Sequence, residues 1–206
     1  GSIGCGKTTL AKIVKNLGYA VFDIDSWVRK IYYNKVFLSK LNELFPNSVI
    51  NGSADKRYLR NIVFSDKTKL EKLENLIYPF LNKKIRYTIS KYAKKDCICF
   101  LDAALLFEKC WDKYCDVIIL ADVDYNIQKQ RVMKRDNISE EDFDKINNIQ
   151  IKNSDKKLLS DIVVYTNKSK NMIYQRQLEK AITYVKNDAI NTYNRRLREF
   201  VSVKTK

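Results

Sequence analysis

Gly1-Ser2-Ile3-Gly4-Cys5-Gly6-Lys7-Thr8 opens the chain, and its reading decides the fold. The eight residues satisfy G-x-x-x-x-G-K-[ST], the pattern of a phosphate-binding loop. Glycines at 1, 4 and 6 let the backbone turn tightly and aim successive N–H groups inward, forming a nest for phosphate oxygens. Lys7 adds a point charge for the β- and γ-phosphates, and the Thr8 hydroxyl is placed to ligate Mg²⁺. Such a loop runs into a helix, whose positive dipole end adds to the attraction. Thr9 to Gly18 meets that demand: Leu10, Ile13, Val14 and Leu17 share one face, and Gly18 supplies the stop. A chance glycine-rich turn before Lys-Thr would need no such helix. Gly1 through Thr9 are therefore the candidate nucleotide contacts. A P-loop also follows a buried strand of about five residues; none precedes Gly1, so the expectation is a fragment lacking its first, central strand.

Composition narrows the classes. At 206 residues the chain can form one sizeable α/β domain with insertions. No apolar run approaches a membrane span, and no signal peptide is visible. Five cysteines, odd in number and without a C-x-x-C pair, point to reduced thiols and a cytoplasmic protein. Cys97 and Cys99 are expected in the core. The absence of His excludes a His-based metal site, proton shuttle or Ser-His-Asp triad. A net charge of +15 suits any polyanion, from a nucleotide to a nucleic acid. Lysine is spread along the whole chain among Asn, Ile and Tyr, which reads as compositional drift rather than a nucleic-acid patch.

Along the chain, residues 18–23 read as a short strand ending in an acid, followed by a helix from Asp25. Residues 36–95 read as an all-helical insertion, with a stop at Pro46-Asn47, a turn at Asn51-Gly52, a helix from Ser53 to Phe64 and another opened by Pro79. Residues 97–102 and 116–121 read as buried strands of a parallel sheet. Tyr125 to Lys134 and a segment capped by Ser139 read as helices. Asp161 to Tyr165 is the last strand and Lys168 to Lys186 the last helix. The basic tail 189–206 reads as a frayed or solvated helix. Strands alternating with helices behind a P-loop give an α/β, three-layer P-loop fold with a mostly parallel sheet, its ligand at the carboxyl ends of the strands.

Other residues acquire roles from that placement. Phosphoryl transfer to a hydroxyl needs a carboxylate near the acceptor, and Asp23 is the candidate. Asp25 beside it is expected as helix cap or partner of a Mg²⁺-bound water. Asp102, at a strand end, takes the place of a Walker-B acid for Mg²⁺. Arg131 and Arg135 lie one helical turn apart, so two guanidinium groups could clamp ATP phosphates.

Taken together, these segments resemble the dephospho-CoA kinase family, in consistent order from Gly1 to about Asn187. The opening is similar to its G-[GS]-I-G-x-G-K-[ST] loop. Asp23-Ile24-Asp25 with Arg29 resembles D-x-D-x-x-x-R, and Arg57-Tyr58-Leu59-Arg60 with Ile62-Val63-Phe64 resembles R-x-x-L-R-x-x-[IV]-F. Leu105-Leu106-Phe107-Glu108 resembles P-L-L-[FY]-E; Arg131, Arg135-Asp136 and Gln150 match R-x-x-x-R-[DN] and a downstream Gln; Asp161 with Asn167 resembles A-D-x-[IV]-[IL]-x-N. The resemblance implies ATP-dependent phosphorylation of the ribose 3′-hydroxyl of dephospho-CoA, with ATP and Mg²⁺ bound. It implies Asp23 as base, Lys7 and Thr8 on ATP–Mg²⁺, and Arg135 reaching the phosphates from a lid over 124–150. Asp25, Arg29, Arg57 and Arg60, with a helical insertion over 26–95, would hold the acceptor. A single kinase domain would then span 1–188. The sequence departs from the family at Tyr78-Pro79, where His-Pro is usual, and at Ala104, where Pro is usual.

Three other readings stand beside this one. Another small P-loop kinase would take a nucleoside, nucleotide or shikimate-like acceptor, although no adenylate-kinase-type acceptor segment is visible. A basic nucleic-acid-binding NTPase would need a base-stacking or groove-reading module, and none is recognisable. A degenerate, inactive relative would bind ATP without turnover.

Overall fold

The structure, a computed structural model, describes residues 1–64, 66–93, 97–167 and 172–186. In chain order these form α1 (Lys7–Asn16), β1 (Ala20–Asp23), α2 (Ile24–Ile31), α3 (Lys35–Leu44), β2 (Val49–Ile50), β3 (Ser53–Ala54), α4 (Lys56–Phe64) and α5 (Lys67–Ala93). Then come β4 (Cys99–Asp102), a 3₁₀ turn (Asp112–Tyr114), β5 (Ile119–Asp122), α6 (Tyr125–Asp136), α7 (Glu140–Asn148), α8 (Asn153–Leu158), β6 (Ile162–Tyr165) and a helix α9 over 172–186. The architecture is mixed α/β, as expected. The chain divides into two compact units, one of Gly1–Val21 with Asp102 onward, the other Phe22–Leu101. The basic tail 189–206 lies outside the described residues.

In the first unit α1 grows directly from the glycine-rich loop. Thr9 and Leu10 donate their N–H groups to the Gly6 carbonyl, and Leu10, Ile13 and Val14 are buried. Each buried aliphatic side chain is worth about 1.5–3 kcal/mol relative to exposure. The helix ends where expected: Gly18, at φ 89°, donates to the Lys15 carbonyl. Strands β5 and β6 pair in parallel, Ile119 opposite Ile162 through Asp122 opposite Tyr165. Leu120, Ala121 and Val164 are buried there, as a strand covered on both faces requires. Asp161 extends the pair by accepting the Ile118 N–H at 2.7 Å. Ser139 caps α7 as expected, accepting the Asp142 N–H. Buried Tyr174, Leu178, Ala181 and Ile182 give α9 one apolar stripe.

The second unit is built on α5. Leu73, Ile77, Leu81, Ile85 and Thr88 repeat at near-helical spacing and are buried, and α2, α3 and α4 pack on this helix. Pro79 does not open a helix but lies inside α5; turns on both sides, anchored by Ile77 and Leu81, hold it there despite the lost N–H. The insertion is not wholly helical either. Asn51 and Gly52 both take positive φ, at 50° and 74°, and close the β2–β3 hairpin. Helix α4 consequently starts at Lys56 rather than Ser53, with Asp55 Oδ1 accepting the N–H groups of Arg57 and Tyr58.

Strands β1 and β4 pair with each other, and the division between units runs through both. Strand β4 begins two residues later than expected. Cys97 thus falls outside it and is exposed, while Cys99 is half-buried; neither is a core residue.

Candidate phosphate-binding site

The loop keeps its shape because three elements press on it. Gly1 lies against the carbonyl of Ala121 on β5. Gly4 adopts φ 75°, and a Cβ there would stand 2.5 Å from Val132 Cγ2 of α6. Gly6 adopts φ 84° as the cap residue of α1, with Thr166, just past β6, 3.2 Å from where its Cβ would be. Only glycine meets both the left-handed backbone and the close approach at position 4.

Side chains from distant segments then clasp the residues between the glycines. The Ile3 N–H donates to Gln150 Oε1 at 3.0 Å, and the Ile3 carbonyl accepts from Gln128 Nε2 at 2.7 Å. The Ser2 hydroxyl donates to Asn153 Oδ1 at 2.8 Å, and Asn153 Nδ2 donates to Cys5 Sγ and to Asp122 Oδ1. Thr166 Oγ1 donates to the carbonyls of Cys5 and Asp122. Ser2, Cys5, Gln128 and Thr166 are buried, so these bonds form away from competing water.

Charges are gathered on the same loop. Lys156, buried, pairs with Glu108 at 2.8 Å, and Lys157 pairs with Asp122 at 2.6 Å. Burial alone would raise the Glu108 carboxyl, but hydrogen bonds from Lys156 and from the Ile151 backbone outweigh it and hold it low. The Asp122 hydrogen bond holds the Lys157 ammonium above its usual value. The charges of Lys7, Lys156 and Asp102 all act at Gly1, the first residue of the loop.

The expected site residues divide between the two units. In the first, Lys7 begins α1 half-buried, Thr8 is exposed and Thr9 half-buried. Arg131 faces the loop's neighbour, donating to the Thr166 carbonyl at 2.7 Å and its hydroxyl at 3.4 Å. Arg135 faces outward and makes a bidentate pair with the adjacent Asp136, both bonds 2.7 Å. Asp102 ends β4.

In the second unit Asp23, not Asp25, caps α2: its Oδ1 accepts the Ser26 N–H at 2.8 Å. Asp23 alone has the extended backbone a cap requires, at φ −82° and ψ 104°, while Asp25 sits inside the first turn. Arg29 approaches Asp23 Oδ2 at 3.5 Å. Arg57 and Arg60 lie exposed on α4. The structure thus brings Asp23 and Arg29 together within their unit, and the loop, Asp102 and Arg131 within theirs.

Sequence reasoning gave no chemical role to Gln128, Asn153, Lys156 or Thr166. Asn153 and Lys156 lie on α8, whose six residues Asn-Ser-Asp-Lys-Lys-Leu carry no apolar period. Glu108 and Gln150 were noted only through the family resemblance.

A glycine-rich loop that turns into a helix beside a parallel strand pair, in a mixed α/β chain, defines the P-loop nucleotide-binding class. Within that class, a family model described as dephospho-CoA kinase matches residues 1–171, and this chain belongs to the dephospho-CoA kinase family. Dephospho-CoA kinase of Fusobacterium nucleatum is 34% identical over 179 residues, covering 85% of this chain and 91% of the relative. The Bartonella quintana enzyme of that name is 35% identical over the same shares. Among solved structures, TT1252 from Thermus thermophilus matches with a TM-score of 0.76 at 27% identity, over 88% of this chain and 92% of its own. Dephospho-CoA kinase from Campylobacter jejuni shares the fold, with a TM-score of 0.68 at 24% identity over 89% and 93%.

Proposed function

We propose that this chain transfers the γ-phosphoryl group of ATP to the ribose 3′-hydroxyl of dephospho-CoA, giving coenzyme A and ADP. The observation that carries the reading is the P-loop at the start of α1, in a chain of this family. The loop N–H groups and Lys7 hold the phosphates and stabilise charge that develops on the transferring group. Arg131 lies next to the loop through Thr166, and Arg135 has to leave Asp136 to reach a phosphate. Asp23 orients the acceptor hydroxyl and takes its proton, with Asp25, Arg29, Arg57 and Arg60 on the acceptor side. Residues 124–150 form a lid that excludes water during transfer.

Mg²⁺ suits the donor set, an exposed threonine hydroxyl at Thr8 and a carboxylate at Asp102, because this ion takes few protein oxygens and completes its shell with water and phosphate. Bound there, it would neutralise phosphate charge. In this reading one kinase domain spans 1–188, with an acceptor-binding insertion over 26–95, and it works in the cytoplasm on a small-molecule substrate. Among the described residues no helix is long and apolar enough to cross a membrane.

The test is ADP release with dephospho-CoA, set beside adenosine, AMP and shikimate. Turnover with dephospho-CoA alone, and coenzyme A as product, is the expected outcome; turnover with another acceptor would overturn the substrate. Asp23→Asn is expected to lower kcat by about 10²–10⁴-fold while leaving ATP affinity nearly unchanged. Equal loss in both would remove Asp23 from the chemistry.

A further inference from the structure

We propose that Lys156 is a positioning residue for the phosphate loop, its buried ammonium fixing the Ser2 turn and placing positive charge beneath the bound phosphates. The inference rests on reading the loop as the ATP site.

Lys156 is 1% exposed and Glu108 11%. Lysine is almost never fully buried unless paired, and burying both charges costs several kcal/mol per ion. Apolar residues of similar volume usually serve stability as well or better. Glu108 does not even complete its bonding: Oε1 accepts from Lys156 and the Ile151 N–H, while Oε2 is buried with no partner among the described residues. The pair is therefore a poor device for stability alone.

Its geometry points to the loop instead. Lys156 Nζ donates to Ser2 Oγ at 3.4 Å, and Ser2 Oγ donates to Asn153 Oδ1 at 2.8 Å. Asn153 and Lys156 lie three residues apart and share a face of α8. Between them they fix the orientation of the Ser2 hydroxyl, using its donor and one of its acceptor sites. The ion pair is polarised, with its positive end on the loop and its negative end on the 105–108 turn. In a dry site that positive end attracts a bound anion far more strongly than an exposed lysine would.

Three variants decide the matter, with ADP affinity by calorimetry, thermal unfolding, and the KM values for ATP and dephospho-CoA as readouts. Lys156→Met should weaken ADP binding by roughly tenfold, raise the KM for ATP alike, leave the KM for dephospho-CoA unchanged, and destabilise the chain. The double variant Lys156→Met/Glu108→Leu removes both charges; it should recover stability but not ADP affinity. A double variant that binds ADP like the parent would overturn the proposal, since the pair would then be structural only. Ser2→Ala keeps the ion pair and cuts its link to the loop. It should weaken ADP binding at near-parent stability, and unchanged affinity would count equally against the proposal even if the other variants do not fold. ADP binding needs no acceptor, so a wrong acceptor leaves these results readable. A parent chain that fails to bind ADP would instead sink the ATP-site reading.

Discussion

Gly4 answers to two constraints, a backbone φ of 75° and a Cβ position 2.5 Å from Val132 Cγ2. The left-handed backbone costs a non-glycine residue about 1–2 kcal/mol, and the overlap adds to it. Gly4→Ala is therefore expected to lower stability by about 2–4 kcal/mol in urea unfolding. Adding Val132→Ala should remove the overlap but leave the backbone cost, so only part of the loss should return. Recovery in full would mean that φ imposes nothing at this position. The requirement for glycine was legible in the motif, because a phosphate nest needs positive φ wherever it occurs. The contact with Val132 was not, since it joins residues far apart in the chain.

Among elements, α6 bears most directly on the loop. Gln128, buried on its inner face, donates to the Ile3 carbonyl and to Asn147 of α7 at 3.3 Å. Gln128→Leu would leave the Ile3 carbonyl buried without its donor, at a cost of about 1–3 kcal/mol. The expected signature is faster hydrogen exchange at the Ile3 amide, whose acceptor Gln150 lies just past α7. Exchange at the parent rate would show that Gln150 holds the loop alone. Elements with local signals read well from sequence. Ser139 capped α7 as its spacing implied, Gly18 stopped α1, and Asn51-Gly52 turned the chain. Where packing decided, the reading failed. Pro79 is tolerated inside α5 because the turns on either side are pinned. Helix α8 was missed because its purpose lies in two polar side chains, not in an apolar face. The α2 cap fell on Asp23 rather than Asp25, a choice made by where β1 ends.

At the scale of the whole molecule, the Glu108–Lys156 pair makes stability depend on pH. Glu108 is held below its ordinary value of 4.5 despite burial, chiefly by the Lys156 hydrogen bond. A depressed carboxyl stabilises the fold above its unfolded pKa, and that contribution is lost as pH falls through the folded value. Replacing Glu108 by Gln should thus cost about 3–5 kcal/mol at pH 7, by leaving Lys156 without its counter-charge. The gap between parent and variant should close below pH 4.5. A gap that does not narrow by pH 3 would show that titration of Glu108 is not what makes stability depend on pH in this range. With a net charge of +15, both proteins gain self-repulsion on acidification; their difference isolates the one carboxyl. Charge of that size was visible in composition, but Lys156, turned inward among so many lysines, could not be singled out without the fold.

Asp23 has one oxygen engaged by the Ser26 N–H and the other turned toward Arg29. The aim of this proposed acid–base group is therefore inherited from the first turn of α2. Damage to that helix, such as loss of the buried Trp27, would disarm Asp23 without touching it. A kinetic defect at such a distance would pass for faulty chemistry when the true lesion was architectural.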